Sequence, residues 1–359
     1  MGTRSIVPFG PQHPVLPEPI HLDLVLEDEL VVEAIPSIGF IHRGLEKLVE
    51  KKDFVEYVYV AERVCGICSF MHGMGYCEAV EHTMGIEVPD RAKYLRTIWS
   101  EMSRIHSHMM WLGLLADAFG FESLFMESWR MREKILDMFE YSTGGRVIFS
   151  VNKIGGQRKD MDNSMISDFV GILDGMEKEL KSLSYTFLTD YSVKSRLEGV
   201  GMLSKQQAHD LGAVGPFMRA SGISLDTRMT GYAAYPHLEF EPITSSAGDS
   251  FARVDVRIKE IYQSIDLIKQ AAAKIPAGDV FTPYKGNPTG EYLMRVEQPR
   301  GEAVYYVKAN GTKNLDRFRL RTPTFANLPG LVEVLKGCQL ADVPILILTI
   351  DPCISCTER

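Results

Sequence analysis

Two cysteine pairs carry the densest chemistry in this sequence. Cys65 and Cys68 form one C-x-x-C, Cys353 and Cys356 form the other, and most of the chain lies between them. Thiolates are soft, electron-rich ligands that suit zinc, nickel, iron and iron–sulfur centres. A redox dithiol usually follows a strand in a compact βαβ unit, and "RVCGIC" sits in a helical pattern instead. A tetrahedral zinc site places its knuckles about 15–20 residues apart and staples a unit that lacks a core. The third chemistry is a catalytic metal centre in the interior, where four thiolates bind one metal or bridge two. The long separation favours this third reading, with structural zinc as the alternative. It predicts a C-terminal segment pinned in the core by metal–sulfur bonds, and one domain over residues 1–359. His72 lies four residues after Cys68, so on a helix both share a face. Its imidazole is then placed to donate a hydrogen bond to a ligated sulfur. Cys77 and Cys338 read as small buried hydrophobes.

The rest of the composition sets bounds. The 359 residues are 45% hydrophobic and 24% charged, enough for a large core. A net charge of -8 argues against a general nucleic-acid binder, because phosphate backbones reward basic surfaces. Seventeen methionines suit irregular apolar packing. The opening residues lack the apolar run of a signal peptide, and no stretch approaches the roughly 20 apolar residues that span a bilayer. Without a secretion signal, six cysteines in so long a chain are not a disulfide framework.

The elements that must position these thiols are mainly helical. Residues 20–35 alternate apolar and polar around an acidic turn and predict a β-hairpin. Helical periodicity begins at "RGLEKLVEKK" and runs through much of 53–84. Asp90 is expected to cap a long helix, a second follows from Glu122, and others cover 163–190 and 247–275. "GEAVYYVKANG" and "LDRFRLR" predict strands, "TPTFANLPGLVEVLKG" a short helix, and "VPILILTI" a buried strand. The expected fold is mainly α with peripheral β-hairpins.

"RVCGICSFMH" and "DPCISCTER" resemble the two signature motifs of nickel–iron hydrogenase large subunits, R-x-C-G-x-C-x-x-x-H and D-P-C-x-x-C-x-x-H/R. Both match in full and in order. "GPQHP" and "HRGLEK" resemble the membrane-bound, energy-converting (Ech-type) branch. They also resemble the quinone-site subunit of respiratory complex I, which shares the fold but lacks the four cysteines.

The resemblance implies that Cys65 and Cys353 bind nickel terminally, while Cys68 and Cys356 bridge nickel to an iron carrying carbon monoxide and cyanide. It implies that H2 is formed or cleaved heterolytically. Glu18, in "LPEPIH", matches the first proton relay; the residue pattern alone reads it as a solvated loop glutamate. Arg300, in "EQPRGEA", matches an arginine over the open metal position, with Pro299 in the same wall and Asp351 and Asp117 as its carboxylate partners. Glu46 matches a ligand of a magnesium-like divalent ion, or, with Arg359 in place of a histidine, an ion-pair partner of that arginine. His13 aligns with a quinone-contacting position and reads here as a structural or proton-path residue. No further cysteines are spaced for an iron–sulfur cluster. The implied partners are therefore an iron–sulfur small subunit, further hydrophilic and membrane subunits, and ferredoxin. The chain itself is then peripheral, on the cytoplasmic side of a membrane complex that couples H2 chemistry to ion translocation. The alternative is a complex-I-like quinone-site or interaction subunit without nickel–iron chemistry.

Overall fold

The computed structural model describes residues 4–359. The chain opens with strands β1 (Arg4–Phe9), β2 (His21–Glu27) and β3 (Leu30–Ser37), an antiparallel sheet in the order β1-β2-β3. The expected hairpin is β2–β3, and its alternation puts Leu22, Leu24 and Leu26 inside. Short helices α1 (Leu45–Leu48) and α2 (Tyr57–Glu62) lead to α3 (Ser69–Met84). Helicity is thus interrupted at residues 63–68, where the first cysteine pair lies.

Helices α4 (Asp90–Ala118) and α5 (Glu122–Thr143) follow, then the small ribbon β4 (Asn152–Lys153) and β5 (Gly156–Gln157). Next come α6 (Asn163–Thr189), α7 (Tyr191–Leu197), α8 (Lys205–Asp210), α9 (Gly215–Arg219) and α10 (Ser250–Lys274). Asp162 and Asp249 cap α6 and α10 by accepting the amides of Met165 and Ala252. Asp90 does not play the expected part. It is the first helical residue, its carboxylate meets Lys93, and no side chain caps α4. Helix α4 is buried on every face between α5 and α10, yet it carries Arg96, Glu101, Arg104 and His108 inside. A charged helix so deeply buried must pair its charges, and Glu81, Arg228 and Glu260 supply partners.

The C-terminal third builds a second antiparallel sheet, β6 (Thr289–Gln298), β7 (Gly301–Asn310) and β8 (Leu315–Arg321), in sequential order. Then come α11 (Pro323–Leu335), α12 (Val343–Thr349) and α13 (Ile354–Thr357). The apolar run at 343–350 is α12, a helix and not the expected strand. A short apolar run has no period to tell the two apart. Pro344, in the first turn where a missing N–H costs nothing, suits a helix start.

Candidate metal centre

The β6–β7 hairpin, the start of α3 and the last residues of the chain meet at one buried place. Cys65 and Cys68 lie in the irregular turn just before α3, with Cys68 directly preceding its first residue. Cys353 and Cys356 flank and enter α13. All four thiols are at most 3% exposed. Cys65 Sγ and Cys353 Sγ are 3.2 Å apart, and the sulfurs of Cys65, Cys68 and Cys356 all lie within 4.8 Å of one another. Segments 288 residues apart thus contribute to one sulfur cluster.

The electrostatics fit a soft cation. The Cys68 thiol is drawn down to about 5 by hydrogen bonds from Cys356 and Cys65, against its burial. Burial and the neighbouring sulfurs push Cys356 well above the usual thiol range. One thiolate is favoured and further ones resist forming together, until a metal charge offsets their repulsion. The donor set therefore fits a nickel–iron pair, with Cys65, Cys68, Cys353 and Cys356 as the residues that would hold it.

His72 does not reach Cys68. Its backbone N–H bonds the Cys68 carbonyl, and its Nε2 faces Cys356 Sγ at 3.2 Å. Burial, then the charges of Arg359 and Arg43, lower its pKa to about 3, so the ring is neutral.

Pro299 and Arg300 form the two-residue tip of the β6–β7 hairpin, and both are buried. Gly215 packs on this tip so closely that a Cβ there would lie 2.3 Å from the Arg300 carbonyl. Arg300 Nη2 pairs with Asp351 Oδ1 at 2.7 Å, and its Nε donates to the Asp351 carbonyl at 2.9 Å. Its Nη1 donates to Ser107 Oγ at 3.0 Å and faces Cys68 Sγ at 3.5 Å. Burial opposes the charge, but Asp351 and the sulfurs outweigh it and keep the guanidinium protonated. Asp351 is held at φ +56°, a left-handed conformation uncommon outside glycine. Asp117 is not at the site: it is exposed near the C-terminal end of α4. Ser107, three turns earlier and facing inward, takes the position expected of it.

Glu18 lies in the β1–β2 connection and caps α13, accepting the N–H groups of Ile354 and Ser355. Burial first, then the Cys353 sulfur, push its carboxyl up to about 7. An apolar cavity of about 330 Å³, lined by Met110, Trp111 and Trp129, opens beside Glu18, Arg300 and Asp351.

Glu46 accepts three hydrogen bonds from protein groups. One oxygen accepts from Leu320 N and Arg359 Nε at 2.9 Å each, and the other from Arg319. Burial opposes its ionisation, but these donors hold the carboxyl below the usual range. These contacts give Glu46 the ion-pair partners that the sequence offered as one of its two readings, Arg359 among them. His13 stacks on Phe9 with ring centroids 4.1 Å apart.

Sequence reasoning missed several residues here. Arg43 bridges the two cysteine segments, donating to the Val64 and Ser355 carbonyls at 2.8 and 2.7 Å. The Glu358 carboxylate accepts the Gly39 and Ile41 amides, and His42 Nδ1 meets the Glu358 carbonyl. "HRGLEK" was the available signal, since it places a histidine and an arginine just before Glu46. Tyr305 and Gln298 contact His72, and Glu62 sits fully buried with neither carboxyl oxygen hydrogen-bonded. Burial pushes Glu62 up to about 7. Gly73 makes room for it, since a Cβ there would lie 2.6 Å from Glu62 Cγ.

Comparison with known proteins identifies the family. Residues 118–287 and 280–359 match the family described as "Respiratory-chain NADH dehydrogenase, 49 Kd subunit", and residues 43–117 match "Nickel-dependent hydrogenase". The chain is 38% identical to the membrane-bound hydrogenase subunit alpha of Pyrococcus furiosus, over 98% of this chain and 87% of that protein. It is 38% identical to the carbon monoxide-induced hydrogenase of Rhodospirillum rubrum, over the full length of both. Identity to one subunit of the F(420)H(2) dehydrogenase of Methanosarcina mazei is 35%, over 100% of this chain and 98% of that protein. Among solved structures, a chain of the membrane-bound sulfane sulfur reductase, an archaeal respiratory membrane complex, superposes with a TM-score of 0.95 at 30% identity, over 99% of this chain and 98% of that one.

Proposed function

This chain belongs to the family that unites the large subunits of membrane-bound nickel–iron hydrogenases with the 49 kDa subunit of respiratory complex I, and on that premise we propose that it is the catalytic subunit of an energy-converting hydrogenase. The observation that carries this reading is the convergence of four buried sulfurs from Cys65, Cys68, Cys353 and Cys356. They would hold a nickel–iron centre with carbon monoxide and cyanide on the iron. When bound, that centre supplies the reversible interconversion of H2 with two protons and two electrons.

The surrounding side chains divide the remaining work. Arg300, fixed by Asp351 and Ser107, keeps a positive charge beside Cys68 and walls one side of the site together with Pro299. Glu18 holds or releases a proton at its carboxyl, next to Cys353, with a proton affinity suited to neutral pH. The mainly apolar cavity beside it has room for a small uncharged gas. His72 Nε2 lies 3.2 Å from the Cys356 sulfur, close enough for a hydrogen bond that would modulate it.

Electrons leave through a partner, because Cys77 and Cys338 are the only other cysteines and cannot bind a cluster alone. The partner is an iron–sulfur small subunit within a complex that includes further hydrophilic and membrane subunits, with ferredoxin as donor or acceptor and ion translocation as the coupled work. No helix among the described residues is long and apolar enough to cross a membrane, which suits a peripheral subunit on the cytoplasmic side.

Metal analysis and infrared spectroscopy of the purified complex test this reading. The expected result is equal nickel and iron, with absorption bands from the diatomic ligands and H2-dependent proton exchange. A lone zinc, or no metal, overturns it. The second reading, a complex-I-like quinone-site or interaction subunit without nickel–iron chemistry, draws support from the match of residues 118–287 and 280–359 to the 49 Kd subunit family. It predicts a stable complex that lacks both the bands and the exchange.

A further inference from the structure

The two nitrogens of His72 face partners of different kinds. Nε2 meets the Cys356 sulfur at 3.2 Å. Nδ1 meets two groups that carry hydrogens, the Tyr305 hydroxyl at 2.9 Å and Gln298 Nε2 at 3.2 Å. The Gln298 amide also donates to the Tyr305 oxygen at 2.8 Å. That leaves the phenol hydrogen to point at Nδ1 or at the Met71 carbonyl, 3.4 Å away. All four side chains are fully buried, so water does not compete. A neutral imidazole has one N–H, and donors crowding one nitrogen leave that hydrogen on the other.

We propose that Tyr305 and Gln298 are positioning residues that fix His72 as the Nε2–H tautomer, so that its one hydrogen is committed to the Cys356 sulfur; the proposal rests on reading the four cysteines as metal ligands. Both residues belong to the β6–β7 hairpin. The Tyr305 ring reaches His72 because Gly75, almost one turn further along α3, has no side chain: a Cβ there would lie 2.5 Å from the ring. The same hairpin carries Arg300 at its tip, 3.5 Å from Cys68. One hairpin thus governs a hydrogen-bond donor to one sulfur of each cysteine pair. A sulfur that accepts a hydrogen bond passes less electron density to its metal, so the tautomer tunes the site.

The test uses two independent readouts on the full chain. Nitrogen-15 spectra of histidine-labelled protein, with His72→Gln to assign the resonances, report the tautomer with or without metal. Infrared bands of the purified complex report electron density at the metal. The parent is expected to show His72 with a bare Nδ1. Gln298→Glu, which changes shape little, presents an acceptor and should move the hydrogen to Nδ1. Tyr305→Phe with Gln298→Leu should give a mixture of tautomers. It should also lower metal affinity, by at most the roughly 10- to 100-fold that follows from losing a hydrogen bond to a ligand itself. Its carbon monoxide bands should move to lower frequency, as in His72→Gln. A hydrogen on Nδ1 in the parent, or an unchanged tautomer in both Gln298→Glu and the double variant, overturns the proposal. Absence of nickel from every form would instead sink the functional reading, and the nitrogen spectrum would still decide the tautomer.

Discussion

The two dithiol segments use the same motif and reach the same site, but they are held there by opposite means. Cys65 and Cys68 are carried by the core. Thirteen of the sixteen residues of α3 are buried, and the helix packs on α2, α4 and β6. Cys353 and Cys356 are carried by polar contacts. The α13 helix has four residues, far too few to be stable alone. Glu18 caps it, Thr324 accepts the Cys353 amide, Arg43 binds its Ser355 carbonyl, and Glu358 and Arg359 tie its end to residues 39–46. A metal site joining these two segments inherits two sensitivities. The first pair responds to volume, the second to charge and hydrogen bonding.

Removing a sulfur should break both halves at once. Cys356→Ala is expected to abolish nickel and iron binding, measured by metal analysis, because the cluster loses a ligand that no neighbour replaces. Altering the polar support without touching a ligand should separate function from assembly. Glu18→Gln is expected to retain both metals while H2–deuterium exchange falls about 10²- to 10⁴-fold, the span of a lost acid–base group. Full exchange activity would remove Glu18 from the proton path.

Asp351→Asn tests the charge at the junction of the halves. It removes the carboxylate paired with the buried Arg300, which should cost about 3–5 kcal/mol of stability in denaturant titration. Glu62 probes the volume-sensitive half. Its folded pKa of about 7 lies above the ordinary 4.5, so the native state binds more protons than the unfolded state between those values. Its contribution to stability is therefore lost as pH rises toward and past 7. Glu62→Gln should flatten that slope and stabilise the chain at pH 8 by about 1–3 kcal/mol, the range for one uncompensated buried polar group.

The smallest effect belongs to the partly exposed pair of Glu46 and Arg359. A double-mutant cycle of Glu46→Gln and Arg359→Ala should give a coupling of about 0–1 kcal/mol. Glu46 has a depressed folded pKa, so this stability is present above the unfolded carboxylate pKa and fades as the solution is acidified. A coupling far above that range would mean that the terminal segment depends on this pair more than on Glu18 and Arg43.

Much of the architecture was legible because it is periodic. The helices at 163–189 and 250–274 and the hairpin at 21–37 announce themselves by apolar spacing and an acidic turn, whereas the one cap expected from the sequence, Asp90, does not cap its helix. The run at 343–350 was misread as a strand because it is apolar throughout. At the site, cysteine spacing and motif resemblance identified the residues whose chemistry is distinctive. Asp117 was misplaced because an aspartate near a helix end has no spacing signal to say which way it faces. Ser107, Tyr305, Gln298 and Arg43 went unseen because common side chains acquire a role only through their neighbours.

By itself, the sequence determined the type of chemistry, since thiols, carboxylates and a guanidinium differ in softness and proton affinity wherever they stand. It also determined the local elements, because periodicity and capping act over a few residues. Only the tertiary structure decided which sulfur His72 addresses, which hydroxyl supports Arg300, and that Glu46 pairs with arginines. Those outcomes depend on contacts between segments hundreds of residues apart, and the energy of such a contact appears only once both partners have been brought out of water into the same place.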